Sequence, residues 1–132
     1  MKTLLPILLL VSTTAVMAED AHLETAQDMV SCVPSYLNAM EMASNAGLDD
    51  MAEQFEGSAR GALIAAEQSL KNGGYEQDWI DTVMTDWAES YSVSFKYRNT
   101  EQGYFQSEVE RCGPLSKTQT TLVNQWRSEN KK

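Results

Sequence analysis

Two cysteines, Cys32 and Cys112, stand 80 positions apart, and the chain has no others. A bond between them holds the two Cα atoms within about 7 Å, so any fold of the oxidised chain must return residue 112 to residue 32. Two free thiols or an intermolecular pair are the alternatives. An even count in an exported chain favours the internal bridge. The chain-entropy model gives roughly 4 kcal/mol for so long a loop, less any strain. That is a large share of the usual total of about 5–15 kcal/mol. No Cys-x-x-Cys occurs, which argues against a redox-active dithiol.

The case for export lies at the N-terminus. Lys2 supplies a positive charge, residues 4–11 a short apolar run, and residues 12–18 an end rich in small residues. These are the three parts of a secretory signal. Val16 and Ala18 fit the −3 and −1 positions, which places cleavage after Ala18. A membrane anchor would need about 20 apolar residues, and Pro6 interrupts a run already too short. The expected organisation is a signal peptide over 1–18 and one helical domain over 19–132. No later segment reads as a membrane span, and the expected location is periplasmic or secreted. All 19 acids lie beyond residue 18, against nine lysines and arginines, so the mature charge is about −10. Such a surface repels nucleic acid and anionic lipid and favours a basic partner. The oligomeric state is not legible.

Apolar positions recur with helical spacing. Leu23, Ala26, Val30, Val33, Leu37 and Met40 form a first stripe, widened by Met29, Tyr36 and Ala43. Pro34 lies inside it, so the segment is one kinked helix or two helices meeting near Ser31, with Ser31 as N-cap. Gly47 supplies a stop. A second helix follows, with Asp50 and Glu53 at capping-box spacing. Gly57, Gly61 and Ala65 leave one strip of it nearly bare, which implies close approach by a neighbour. Asn72-Gly73-Gly74 ends it. A third helix runs from Tyr75 to about Arg98, although Tyr91, Val93, Phe95 and Tyr97 also alternate as a strand would; helix is preferred because no partner strand is evident. Thr100 would cap a short fourth helix that Gly113-Pro114 ends, and Ser116 with Gln119 would open a fifth. The fold class is therefore all-α: a small antiparallel bundle of four to five helices stapled by Cys32–Cys112.

The chemistry excludes more than it offers. His22 is the only histidine, near the mature N-terminus, and reads as a surface residue rather than a catalytic base. One histidine and two bonded cysteines cannot build a usual zinc site. Calcium-hand and haem-attachment motifs are absent. Met40, Met42 and Met51 could bind soft copper, but methionines at helical spacing are usually core fillers. Paired carboxylates could serve a glycosidase, yet so many acids make any one pair uninformative, and eight of the 19 fall near expected helix starts, where the dipole favours them. No catalytic residue, metal ligand or cofactor is assigned. Aromatics are dense between Trp79 and Phe105, and helical geometry cannot bury them all. Tyr97 and Tyr104, near the turn at Asn99, are the candidate partner contacts.

The leading expectation is a non-enzymatic interaction protein of the bacterial envelope: an inhibitor, an adaptor or a chaperone. The alternative is a carboxylate-based enzyme or a helical protein binding a small ligand. A chaperone has one physical rationale. In strong acid the charge would swing from about −10 to about +10 and strain the compact state. Small periplasmic acid-activated chaperones share the size, helicity and single disulfide, with no motif in common.

Overall fold

A computed structural model describes the backbone of residues 5–131 and the side chains of residues 21–131. The leader expected over 1–18, with its cleavage site, lies outside the residues described at side-chain level. Five α-helices follow in order among the described residues: α1 (Leu5–Asn45), α2 (Asp49–Asn72), α3 (Gln77–Arg98), α4 (Tyr104–Cys112) and α5 (Ser116–Glu129). A 3-10 turn, Gly113–Leu115, joins the last two. No strand occurs among the described residues. The fold is the expected all-α bundle. Its disulfide joins Cys32 on α1 to Cys112 at the end of α4, with the Cα atoms 5.9 Å apart.

α1 passes through Pro34 without ending, so the first segment is one helix, not two. Ser31 does not cap anything; its hydroxyl donates to the Asp28 carbonyl at 2.7 Å, within the same helix. Proline cannot donate to the carbonyl four residues back, which costs a helix interior about 3 kcal/mol. Here that carbonyl belongs to Val30. The ring is buried, and the disulfide fixes α1 two residues earlier.

The turn between α1 and α2 is closed by Gly47 in the left-handed region, φ +76°. Its neighbour Leu48 donates its N–H to the Ala43 carbonyl at 2.8 Å. Leu48 then takes the cap position of α2, without a side-chain cap bond, so the expected Asp50–Glu53 capping box does not form. Asp49 and Asp50 still occupy the first turn of α2, where the helix dipole favours negative charge.

α2 is the helix the others surround, touching α1, α3 and α5. Its buried positions are mostly alanine: Ala59, Ala62, Ala65 and Ala66, ending in Leu70. Small side chains let three neighbours come close, and Met29, Val30, Ile80 and Leu122 fill the core from the other helices. The Ser69 hydroxyl donates to the His22 carbonyl at 2.8 Å, so α1 and α2 are antiparallel. Gln77 donates to Glu67 at 3.1 Å, and farther along Leu63 and Ile64 face Met84 and Ala88 across one shallow pocket. α3 is therefore antiparallel to α2 as well. α5 departs from this alternation. Gln119 donates to the Ser58 carbonyl at 3.0 Å, while Asn72 and Gln125 exchange amide bonds of 2.9 Å. The last helix thus crosses α2 in the same sense.

The bare strip on α2 divides in two. A Cβ on Gly61 would lie 2.7 Å from Gln119 Nε2 and 3.8 Å from Val123, the close approach the glycine implies. Nothing lies within 4 Å of the same position on Gly57. Two further cap expectations fail. α4 starts after Gly103, φ +84°, while the Thr100 hydroxyl turns back to the Tyr97 carbonyl at 2.8 Å. α5 starts after Leu115 without a side-chain cap bond, and Gln119 is engaged by α2. Residues 91–97 are helical throughout. Their alternation resolves into Phe95 buried on one side and Val93 and Tyr97 exposed on the other.

Candidate functional site

No lysine or arginine occurs between Lys2 and Arg60. The end of the α1–α2 hairpin therefore carries acids alone. It also stands clear of the core: Ala43 is the last buried residue of α1 and Ala59 the first of α2, with none buried between them. At this end Met42, Leu48 and Met51 are 56%, 49% and 47% exposed, and Leu37, back along α1, is 43% exposed. Glu41, Asp49, Asp50 and Glu53 stand exposed among them. Large apolar side chains are thus left in water on a stretch of chain whose charged groups are all acids.

Beside this end, a groove of about 620 Å³ opens between α1 and α3. Pro34, Leu37, Met40 and Glu41 line it from α1, and Phe95 and Lys96 from α3. Its floor is apolar, with an acid on one wall and a base on the other.

Phe95 also borders a second, polar cavity of about 380 Å³ among α1, α3 and α4. Tyr104 donates from its hydroxyl to Glu108 Oε1 at 2.7 Å, and Arg111 donates to Glu108 Oε2. Arg98 and Asp28 line the same cavity. Burial pushes the Glu108 carboxyl up, but the Arg111 and Tyr104 hydrogen bonds and the charges of Arg111 and Arg98 outweigh it and hold it below its ordinary value. Burial raises the Tyr104 hydroxyl, helped by Glu108 and opposed by Arg98. Burial likewise raises Tyr36, against the Arg111 charge. A carboxylate held ionised and a phenol held protonated form a satisfied network. That is the wrong direction for a general acid, which needs its carboxyl raised.

Tyr97 and Tyr104 are not brought together. Tyr97 is 79% exposed on the outer side of α3. Tyr104 is half-buried and turned inward, its ring 5.7 Å from that of Phe95. His22 is half-buried, with its Cβ about where a side chain on Gly73 would press, at 3.0 Å. Trp79 stacks on Tyr75 at 4.6 Å and meets the edge of Trp87 at 6.5 Å. The methionine expectation needs correction. Met29 is core, but Met42 and Met51 are exposed because they lie on the hairpin end that no other helix covers. Among the described residues no group of three His, Cys, Asp or Glu could hold a metal ion. No described helix is long and apolar enough to cross a membrane. Sequence reasoning passed over the hairpin end, although its signal was present as the long stretch without a base, centred on a glycine turn.

Fold and surface together define an all-α, disulfide-bridged chain with an acidic, apolar projecting end. It matches no family model, no curated protein and no solved structure.

Proposed function

We propose that this is an exported, non-enzymatic interaction protein of the bacterial envelope, acting as an inhibitor, adaptor or chaperone on a partner with a basic surface. The observation that carries the reading is the hairpin end and the adjoining stretch of α1, where Leu37, Met42, Leu48 and Met51 are exposed along with the carboxylates of Glu41, Asp49, Asp50 and Glu53. Methionine supports it further, since its flexible, polarisable side chain adapts to more than one contact shape. Export is supported by the Lys2, residue 4–11 and Ala18 pattern and by the disulfide, which persists in oxidising compartments.

Crosslinking and pull-down of the tagged mature protein from its own envelope fraction test the reading. A single stoichiometric partner is expected, and recovery of none sinks it. The intact mass of the purified protein checks the location: cleavage after Ala18 and loss of two hydrogens are expected, and an uncut or reduced chain would count against export.

A further inference from the structure

Resting on the interaction reading, we propose that the hairpin end and its adjoining groove receive one amphipathic helix of a partner protein, with lysine or arginine on its polar face. The shape comes first. The α1 wall is built from Pro34, Leu37, Asn38, Glu41 and Asn45, which is one helical face over about three turns, or roughly 16 Å. A second helix laid along it would place apolar side chains at i, i+3 or i+4, and i+7 over Leu37, Met40 and Phe95. Charge then selects the partner. Glu41 on the wall and Asp49, Asp50 and Glu53 past the turn are exposed, with no base on α2 before Arg60. Lys96 on the α3 wall is the exception. The docked helix therefore carries its bases on the α1 side and a neutral or acidic residue opposite Lys96, which sets its orientation.

The same charges reject the other occupants. A second copy would bring this acidic end against its own likeness, and like charges brought together cost several kcal/mol. An anionic lipid surface is repelled for the same reason.

The test uses the mature, oxidised protein and three labelled peptides of about 18 residues, followed by fluorescence anisotropy. The first holds leucine and lysine in amphipathic helical order, the second has the same composition scrambled, and the third replaces lysine by glutamate. The ordered basic peptide should bind about tenfold tighter than the scrambled one, and the glutamate peptide should not bind. Leu37→Ser with Met42→Ser should weaken binding about tenfold. Asp49→Asn, Asp50→Asn and Glu53→Gln together should weaken it and flatten its salt dependence. Val93→Ser, on the exposed outer side of α3, should change nothing, and circular dichroism confirms that each variant is folded. Equal affinity for ordered and scrambled peptides, or variants without effect, overturns the proposal. So does a dimer in sedimentation that Leu37→Ser dissolves, since a second copy would then be the occupant. If pull-down yields a partner that the ordered peptide fails to displace, the interaction reading stands and this seat for it is wrong.

Discussion

Gly57 and Gly61 are four residues apart on one helix and look equivalent in sequence. Their neighbours make them different. Gly57 faces open space, so Gly57→Ala should gain the helix-propensity difference of about 1 kcal/mol. Gly61→Ala gains the same but pushes on the Gln119 amide, a movable side-chain tip. Moving it loses the bond to the Ser58 carbonyl, which offsets about 1 kcal/mol. Urea unfolding should show the first variant more stable and the second near wild type. Equal gains would mean that α5 does not press on α2 at that point. Glu108 yields a pH prediction. Its carboxyl lies below the ordinary 4.5 in the folded protein, against its unfolded value. Its stabilisation is therefore fully present above about pH 4.5 and is lost as pH falls through the lower folded value. Arg111 is 40% exposed, so solvent screening keeps the effect to about 1 kcal/mol or less. Glu108→Gln should give a shallower loss of stability below pH 4.5, and an unchanged slope would show that the network does not favour the charged form.

At the scale of elements, the helical stripes were legible and the helix starts were not. Apolar spacing reports burial along many turns, so Ala26, Val30 and Val33 fall inside as expected, whereas Leu37 of the same stripe is 43% exposed, because the stripe runs on toward the end of α1 that the core does not reach. A capping motif spans four residues, and backbone bonds can pre-empt it. The N–H of Leu48 goes to Ala43, and that of Ser116 goes to Gly113 out of the 3-10 turn. In both cases a leucine, Leu48 or Leu115, takes the cap position, so Asp50 and Ser116 fall inside the first turn, where their side chains cannot cap. The 91–97 alternation misleads for a different reason. With α3 covered on one side only, an inward Tyr91 and Phe95 and an outward Val93 and Tyr97 satisfy both periods over so short a stretch. Pro34 is the element-scale test. Pro34→Ala restores the N–H that can reach the Val30 carbonyl, removing a cost of about 3 kcal/mol. It also deletes part of a buried ring, at roughly 1–2 kcal/mol. A net rise in thermal midpoint is expected. A fall would show that ring packing at the groove, not helix continuity, governs this position.

For the whole molecule, the cysteine pairing was readable because it depends only on count and compartment. The position of the charge was not, because net charge says nothing of where a hairpin ends relative to the core. The two meet in how the bundle opens. α4 is nine residues long and packs principally on α1, so the disulfide is its main tie to the rest. Both cysteines are 2% exposed. Breaking the bridge should therefore loosen α4 before it unfolds the α1–α2 pair, whose alanine-lined contact needs no crosslink. The Cys32→Ser, Cys112→Ser double variant should lose up to roughly 4 kcal/mol, the loop-closure contribution. In native-state hydrogen exchange, amides of residues 104–112 should lose protection while those of residues 59–70 keep most of theirs. Acid should widen the gap. As the carboxylates protonate, the Glu108 contact to Arg111 goes with them, and the charge swings positive. Oxidised protein would then still hold α4 in place through the bridge, and the double variant would release it at higher pH than wild type. Simultaneous loss of protection over α2 and α4 would instead make the bundle one cooperative unit, with the disulfide stabilising all of it equally.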